Sequence, residues 1–167
     1  IEKADPAYEA PGALDARYGQ TLADLALPEG FSWQGDPGAP VGDPGEHQLL
    51  ATFAPADGAN YNVVRDIPVT VRVTRPVDAS MFSVEQGPFP YSGSAIEPAV
   101  RSAVVPEGSY TVEYRDNVCA GQAVAIITGA GGYTGSCELR FPIEKADPAY
   151  EAPGALDARY GQTLADL

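Results

Sequence analysis

The chain is poor in the residues on which most site chemistry depends. Its 167 residues include one His, two Cys, one Met, one Trp and only ten Lys and Arg. A structural zinc site takes about four Cys or His ligands, and three such residues fall short of that. Ten basic residues against 23 acidic ones leave a net charge of −13. Phosphate recognition rests on Lys and Arg, so this balance argues against nucleic acid or an anionic membrane as partner. No apolar run approaches the ~20 residues of a membrane span, and membrane insertion is not expected. Breakers, by contrast, are abundant: 18 Gly and 16 Pro leave little room for long helices. The hydrophobic share of 44% is still that of a folded domain. A soluble, acidic, turn-rich all-β chain follows.

Residues 1–25, IEKADPAYEAPGALDARYGQTLADL, recur unchanged at 143–167. Either the protein is a tandem array of nearly identical 142-residue units, or a single unit carries an overlapping end. The array is preferred, and it accounts for a chain that starts without Met, export signal or anchor. Units of a linear array touch mainly their neighbours, which makes neighbouring repeats the first expected partners. Residues 147–167 are only the opening of a module, without the strands needed to bury Tyr150, Leu156 and Leu164. Exchange of this segment between chains is therefore expected.

The unit itself divides in two. Ile67-Pro68-Val69-Thr70-Val71-Arg72-Val73 alternates with the period of a half-buried strand. Cys137-Glu138-Leu139-Arg140-Phe141-Pro142-Ile143 does the same seventy residues later. Each follows an apolar strand and a loop carrying an aromatic: 49–53 then Asn60-Tyr61-Asn62, and 123–128 then Gly132-Tyr133-Thr134. This predicts a first β module at 5–76 and a second at 77–143. Residues 1–4 would end a preceding module, and 144–167 would begin the next copy of the first. Further strands are expected at 31–33 and 110–114. Residues 18–27 allow a short helix or a strand and turn, and the strand is preferred because Gly19 and Pro28 close the segment. Pro68 and Pro142 inside strands point to edge positions. Short strands at regular spacing with Gly/Pro turns read as small β-sandwich modules.

Tyr18-Gly19-Gln20-Thr21-Leu22-Ala23-Asp24-Leu25, Leu27-Pro28-Glu29-Gly30-Phe31-Ser32-Trp33 and Ala59-Asn60-Tyr61 carry a resemblance in the first half. In the second half it rests on Tyr91-Ser92-Gly93, Ile96-Glu97-Pro98 and Tyr110-Thr111-Val112-Glu113-Tyr114. Asn117 to Ala123, Ile127-Thr128-Gly129, Tyr133-Thr134-Gly135 and Phe141-Pro142-Ile143 extend it. Together these resemble the MBG- and YDG-type immunoglobulin-like repeats of Gram-positive adhesins and cell-wall proteins. The resemblance covers nearly the whole chain. It implies two immunoglobulin-like sandwiches in tandem, elongated, extracellular and attached to the cell wall, with signal and anchor outside this fragment. It implies no catalytic residues.

Candidate chemistry is sparse. An enzyme needs a nucleophile, a base and an orienter in one pocket, and the single His47 reads as a solvent-exposed residue just before a strand beginning near Gln48. No catalytic residue and no cofactor are expected. Calcium would look to Asp36, Asp43 and Glu46, or to Asp5, Asp15 and Asp24, but no Asp-x-Asp-x-Asp-Gly spacing occurs. An acidic surface that keeps modules apart and soluble is the preferred reading. Cys119 and Cys137 are an even pair in an oxidising setting, and a bond between them would stabilise by ~3 kcal/mol. A hairpin of 122–128 with 136–143 would instead set Cys137 against a residue near 127, so both alternatives stay open. Cys119-Ala120-Gly121-Gln122 has thioester spacing, against an ordinary Gly-containing strand start. Lys3 or Lys145 with Asn60, Asn62 or Asn117 would be the isopeptide candidates, against a solvated linker Lys. Trp33, Tyr8, Phe89 and Tyr91 are the candidate sugar platforms, against core packing.

The expected function is structural: a spacer or stalk repeat of a cell-surface adhesin, projecting a head domain from the cell wall. The alternative is a repeated module that binds a host-surface glycoprotein or glycan by avidity.

Overall fold

The computed structural model describes residues 2–152 together with Arg159, Tyr160 and Thr163, and the described chain is nearly all β. The strands in chain order are β1 (Leu14–Arg17), β2 (Phe31–Trp33), β3 (Gly45–Phe53), β4 (Val64–Pro76) and β5 (Phe82–Val84). They are followed by β6 (Val100–Ser102), β7 (Tyr110–Arg115), β8 (Gly121–Gly129), β9 (Tyr133–Thr134) and β10 (Ser136–Ile143). One sheet runs β1-β4-β3-β2, with β1 parallel to β4 and the others antiparallel. A second runs β10-β8-β7, all antiparallel, and β5 pairs with β6. Just past β10, Glu144 bridges Pro90 in parallel.

The period-2 pattern of β4 does what its composition requires. Ile67, Val69, Val71 and Val73 are all buried, while Pro68 and Arg72 face out. Val71 and Val73 pack with Ala16, Leu25 and Val41, and Leu14, Trp33 and Leu49 close over them. In the second sheet, Phe141 and Ile143 pack with Ala123, Ala125 and Val84. A further cluster joins Val77, Phe82, Val105, Ile127 and Tyr133. Val73 and Val77 thus belong to different cores, four residues apart on one chain.

Three expectations are corrected. Residues 18–27 do not form a strand: Leu22–Asp24 is a 3-10 turn, with Thr21 bridging Pro40. The Asp24 carboxylate accepts from the Thr21 N–H at 2.7 Å and its hydroxyl at 2.9 Å, a local capping arrangement that competes with extended structure. This turn buries Leu22 and Leu25 from one short segment. Second, Pro68 lies on β4, an inner strand with β1 and β3 on its two sides, whereas Pro142 lies on β10, the terminal strand of its sheet, as expected. Both occupy positions where the ladder needs no N–H. Leu50, opposite Pro68, gives its carbonyl to Gln34 on the β2 side. The Gly129 N–H to Gly135 carbonyl bond sets the phase that turns Pro142 away from β8. Third, β3 starts at Gly45 rather than near Gln48, which places His47 within the strand.

Candidate functional site

The contacts that single out a site lie where the two groups of strands meet. The last residues of β4, beyond its pairing with β1, pair in parallel with β9, which makes a fifth strand of that sheet. The Arg75 N–H donates to the Gly132 carbonyl at 2.9 Å, and the Val77 N–H to the Thr134 carbonyl at 2.8 Å. Gly132 approaches the backbone of Pro44 and Gly45 so closely that a Cβ there would overlap both. The Arg75 guanidinium sits 4.4 Å over the Tyr18 ring, and Tyr133 is buried in the core beyond. One strand therefore leaves the first core and enters the second with no unpaired linker between them.

Residues 2–5 show the same device. The Ala4 N–H donates to the Asn60 carbonyl and the Asn62 N–H to the Ala4 carbonyl, each at 2.9 Å, making a parallel bridge between Ala4 and Tyr61. The Lys3 ammonium donates to the Gly58 carbonyl at 2.7 Å. The Asn62 side chain donates to the Asp5 carboxylate at 2.9 Å and to the Lys3 carbonyl at 3.3 Å. At the other end, the Glu144 N–H donates to the Phe89 carbonyl at 2.9 Å and the Tyr91 N–H to the Glu144 carbonyl at 2.8 Å. Glu2-Lys3-Ala4-Asp5 and Glu144-Lys145-Ala146-Asp147 are the same sequence. One copy uses its Glu to hold Phe89–Tyr91; the other uses its Lys, Ala and Asp to hold Gly58–Asn62. No residue is needed twice.

The residues singled out by chemistry are scattered. Cys119 and Cys137 are both free. Cys119 is exposed in the turn before β8, whereas Cys137 stands opposite Ile127, about 20 Å along that strand at ~3.3 Å per residue. Burial, then the charge of Asp78, pushes the Cys137 thiol above its usual value. Cys119 and Gln122 both line an open cavity of about 390 Å³ formed by the Asp116–Gln122 loop, whose only carboxylate is Asp116. His47 is half-buried, not exposed: strand alternation puts it on the side of Leu49 and Ala51, and its Nε2 lies 2.6 Å from the Asp43 carbonyl.

Of the six carboxylates weighed for calcium, four are engaged separately, and Asp43 contributes its backbone carbonyl to His47. Asp36 accepts from the Gly38 N–H, Asp24 from Thr21, Asp5 from Asn62, and Glu46 lies 3.6 Å from Arg72. Among the described residues no three His, Cys, Asp or Glu side chains gather as a metal site would require. Lys3 is exposed on the Gly58 loop, Asn60 donates to Asp57 at 2.8 Å, and Asn117 donates to the Ile96 carbonyl on another loop. Of the aromatics, Trp33 packs on the first core and donates to the Leu25 carbonyl, and Phe89 lies edge-on to Phe141. Tyr8 stacks on Phe53 and meets Phe31 edge-on, which leaves Tyr91 the most exposed of the four at 45%.

Sequence reasoning did not find Gly132, Arg75, Asn62 or Glu144 as junction residues. Two signals were present: the Tyr61 and Tyr133 loops occupy equivalent places before the long strands, and Glu-Lys-Ala-Asp-Pro is repeated. Comparison with protein-family models and with curated proteins finds no match to this chain.

Proposed function

We propose that this chain is a stiff spacer: two small immunoglobulin-like β-sandwich modules from a tandem array that projects a head domain of a surface adhesin from a Gram-positive cell wall. The observation that carries the reading is the junction. β4 passes from one core to the next while paired at every step. The repeated Glu-Lys-Ala-Asp segment has separate contacts for the module before it and the module after it. A junction in which the linking residues are themselves strand has little freedom to bend. The acidic surface supports the same reading, since like charge keeps parallel stalks apart. The sequence resemblance to surface-protein repeats supports the extracellular setting, and alternation of two unlike modules limits misassembly between neighbours.

The test is small-angle X-ray scattering on chains of one and two 142-residue units. Each module has an expected radius of gyration of about 11 Å, hence a diameter of ~30 Å. A spacer gains roughly 60 Å or more in maximum dimension per unit. A much smaller gain, with a broad distance distribution, removes the mechanical basis of the proposal.

A further inference from the structure

The segment that enters each half of the chain lies parallel to the segment that leaves it. In the first half, Ala4 bridges Tyr61, and Leu14–Arg17 pair with Val71–Thr74, both in parallel. The two contacts share one register, since the partner stands 57 positions further along the chain in each (4 and 61, 14 and 71). The leading end is held by the Lys3, Ala4 and Asp5 bonds. At the trailing end the Tyr18 N–H donates to the Thr74 carbonyl at 2.9 Å, and Ala16 is buried with Val71 and Val73. The second half repeats the arrangement. Arg75 and Pro76 lie parallel to Tyr133 and Thr134, and Pro90 lies parallel to Glu144 just past β10. Here the entering chain needs more residues to cover the same path, from 75 to 90 against 133 to 144. The 3-10 turn Ala79–Met81, shorter per residue than a strand, takes up part of the surplus. Between the two contacts Val84 packs with Phe141 and Ile143.

We propose that these parallel pairs are clamps that carry tension along the chain, so that the protein resists pulling as well as spanning distance. A pull enters the first half at Ala4, beside Tyr61, and leaves it past Thr74, beside Arg17. Parallel segments start at one end and finish at the other, so the two pulled points lie at opposite ends of the pair. The bonds at both contacts are then strained together, along the strands. An antiparallel pair of terminal segments would put both pulled points at one end and open bond by bond. In the second half the pull enters at Arg75, beside Tyr133, and leaves at Glu144, beside Pro90, with the same consequence. Forced opening is governed by the unfolding barrier rather than by equilibrium stability. A barrier that needs several bonds to break at once is high even in a fold of ordinary stability. Stiffness is a separate property: modules that bend freely at their junction would hold the same clamps, so scattering and force report on different things.

Single-molecule pulling on the full chain tests this by changing only the points of attachment. In a C119S/C137S background, handles are fixed to E2C/E151C in one variant and to E2C/V63C in the other. Glu2, Val63 and Glu151 are all exposed. The first pair of handles pulls through both halves in shear. The second separates residues 2 and 63 at the leading end of the first clamp, and peels the Ala4 and β1 bonds in turn. Both variants share any loss of stability from C119S/C137S, so the ratio of forces isolates the direction of pull. In the first variant each half should open in one step that lengthens the chain by roughly 200 Å, at no more than about 3.6 Å per released residue. At one loading rate, even the weaker of these two steps should need at least about twice the force of the peeling step. A smaller ratio, or a half that opens gradually under the end-to-end pull, overturns the proposal.

Discussion

Gly132 lies against the backbone of Gly45, with no side chain of either residue between them. This contact brings the loop before β9 onto the start of β3, and the Arg75-to-Gly132 hydrogen bond runs beside it. A methyl group at residue 132 has nowhere to go, because the atoms it meets are main chain. Gly132→Ala should cost about 1–3 kcal/mol, the range of overpacking in well-filled sites. Denaturant unfolding reads the loss, and scattering should show a wider spread of distances. An unchanged midpoint would mean that the two loops separate in solution.

Phe141 is 1% exposed and receives Phe89 and Tyr114 edge-on, at centroid distances of 5.9 and 6.2 Å. Phe141→Ala should destabilise the second sheet by ~3–5 kcal/mol, as for large aromatic truncations in cores. The near-ultraviolet signal of the tyrosines packed there should fall with it.

Acid should weaken the fold through three exposed turn carboxylates. The Thr21 backbone N–H and then its hydroxyl lower the pKa of Asp24, the Asn60 side chain that of Asp57, and the Ser80 hydroxyl and N–H that of Asp78. A depressed native pKa means the unfolded chain binds protons first. The contribution is present above the ordinary carboxylate value near 3.8 and is lost as pH falls through the lower native values. A D24N/D57N/D78N variant should lose less stability than the parent between about pH 5 and pH 2 in denaturant titrations. Parallel curves would show that other carboxylates govern the acid limb.

The two thiols should react at different rates. Cys119 is exposed, and Cys137 is part-buried with its thiol pushed up by burial and by Asp78. An alkylating reagent at neutral pH should label Cys119 first, by at least about tenfold, since the thiolate is the reacting form. Peptide mapping assigns the sites. An intact mass short by one ammonia, with reactivity towards methylamine, would instead reveal a Cys119–Gln122 thioester.

The strands legible in the sequence are those whose own residues settle their burial. Val69, Val71 and Val73 alternate with polar residues, and period 2 leaves them only one face to bury. The Cys137-to-Ile127 register likewise follows from a short hairpin. Harder cases depended on distant partners. Leu14–Arg17 becomes a strand because it lies parallel to 71–74, more than fifty residues away, and nothing local announces that pairing. The three-residue strands β5 and β6 are too short to show a period. In 18–27 the apolar spacing was read correctly as ambiguous, but the Thr21–Asp24 bonds, not Gly19 or Pro28, set its shape. His47 turned inward because β3 begins at Gly45, three residues before the expected start near Gln48.

Composition and pattern alone settle that this chain is acidic, rich in breakers, built of short strands and repeated at its ends. These properties are local or additive, so a single chain read in order contains them. The fate of the repeated segment is different. Tyr8 and Tyr150 have identical neighbours in sequence for many residues on either side, yet one is stacked on Phe53 and the other is 82% exposed. The same holds for Glu-Lys-Ala-Asp, whose Glu is bonded in one copy and whose Lys, Ala and Asp are bonded in the other. A segment has no partner of its own: it is ordered only where complementary strands and loops, brought together by the rest of the fold, offer the hydrogen bonds and apolar surface it cannot supply.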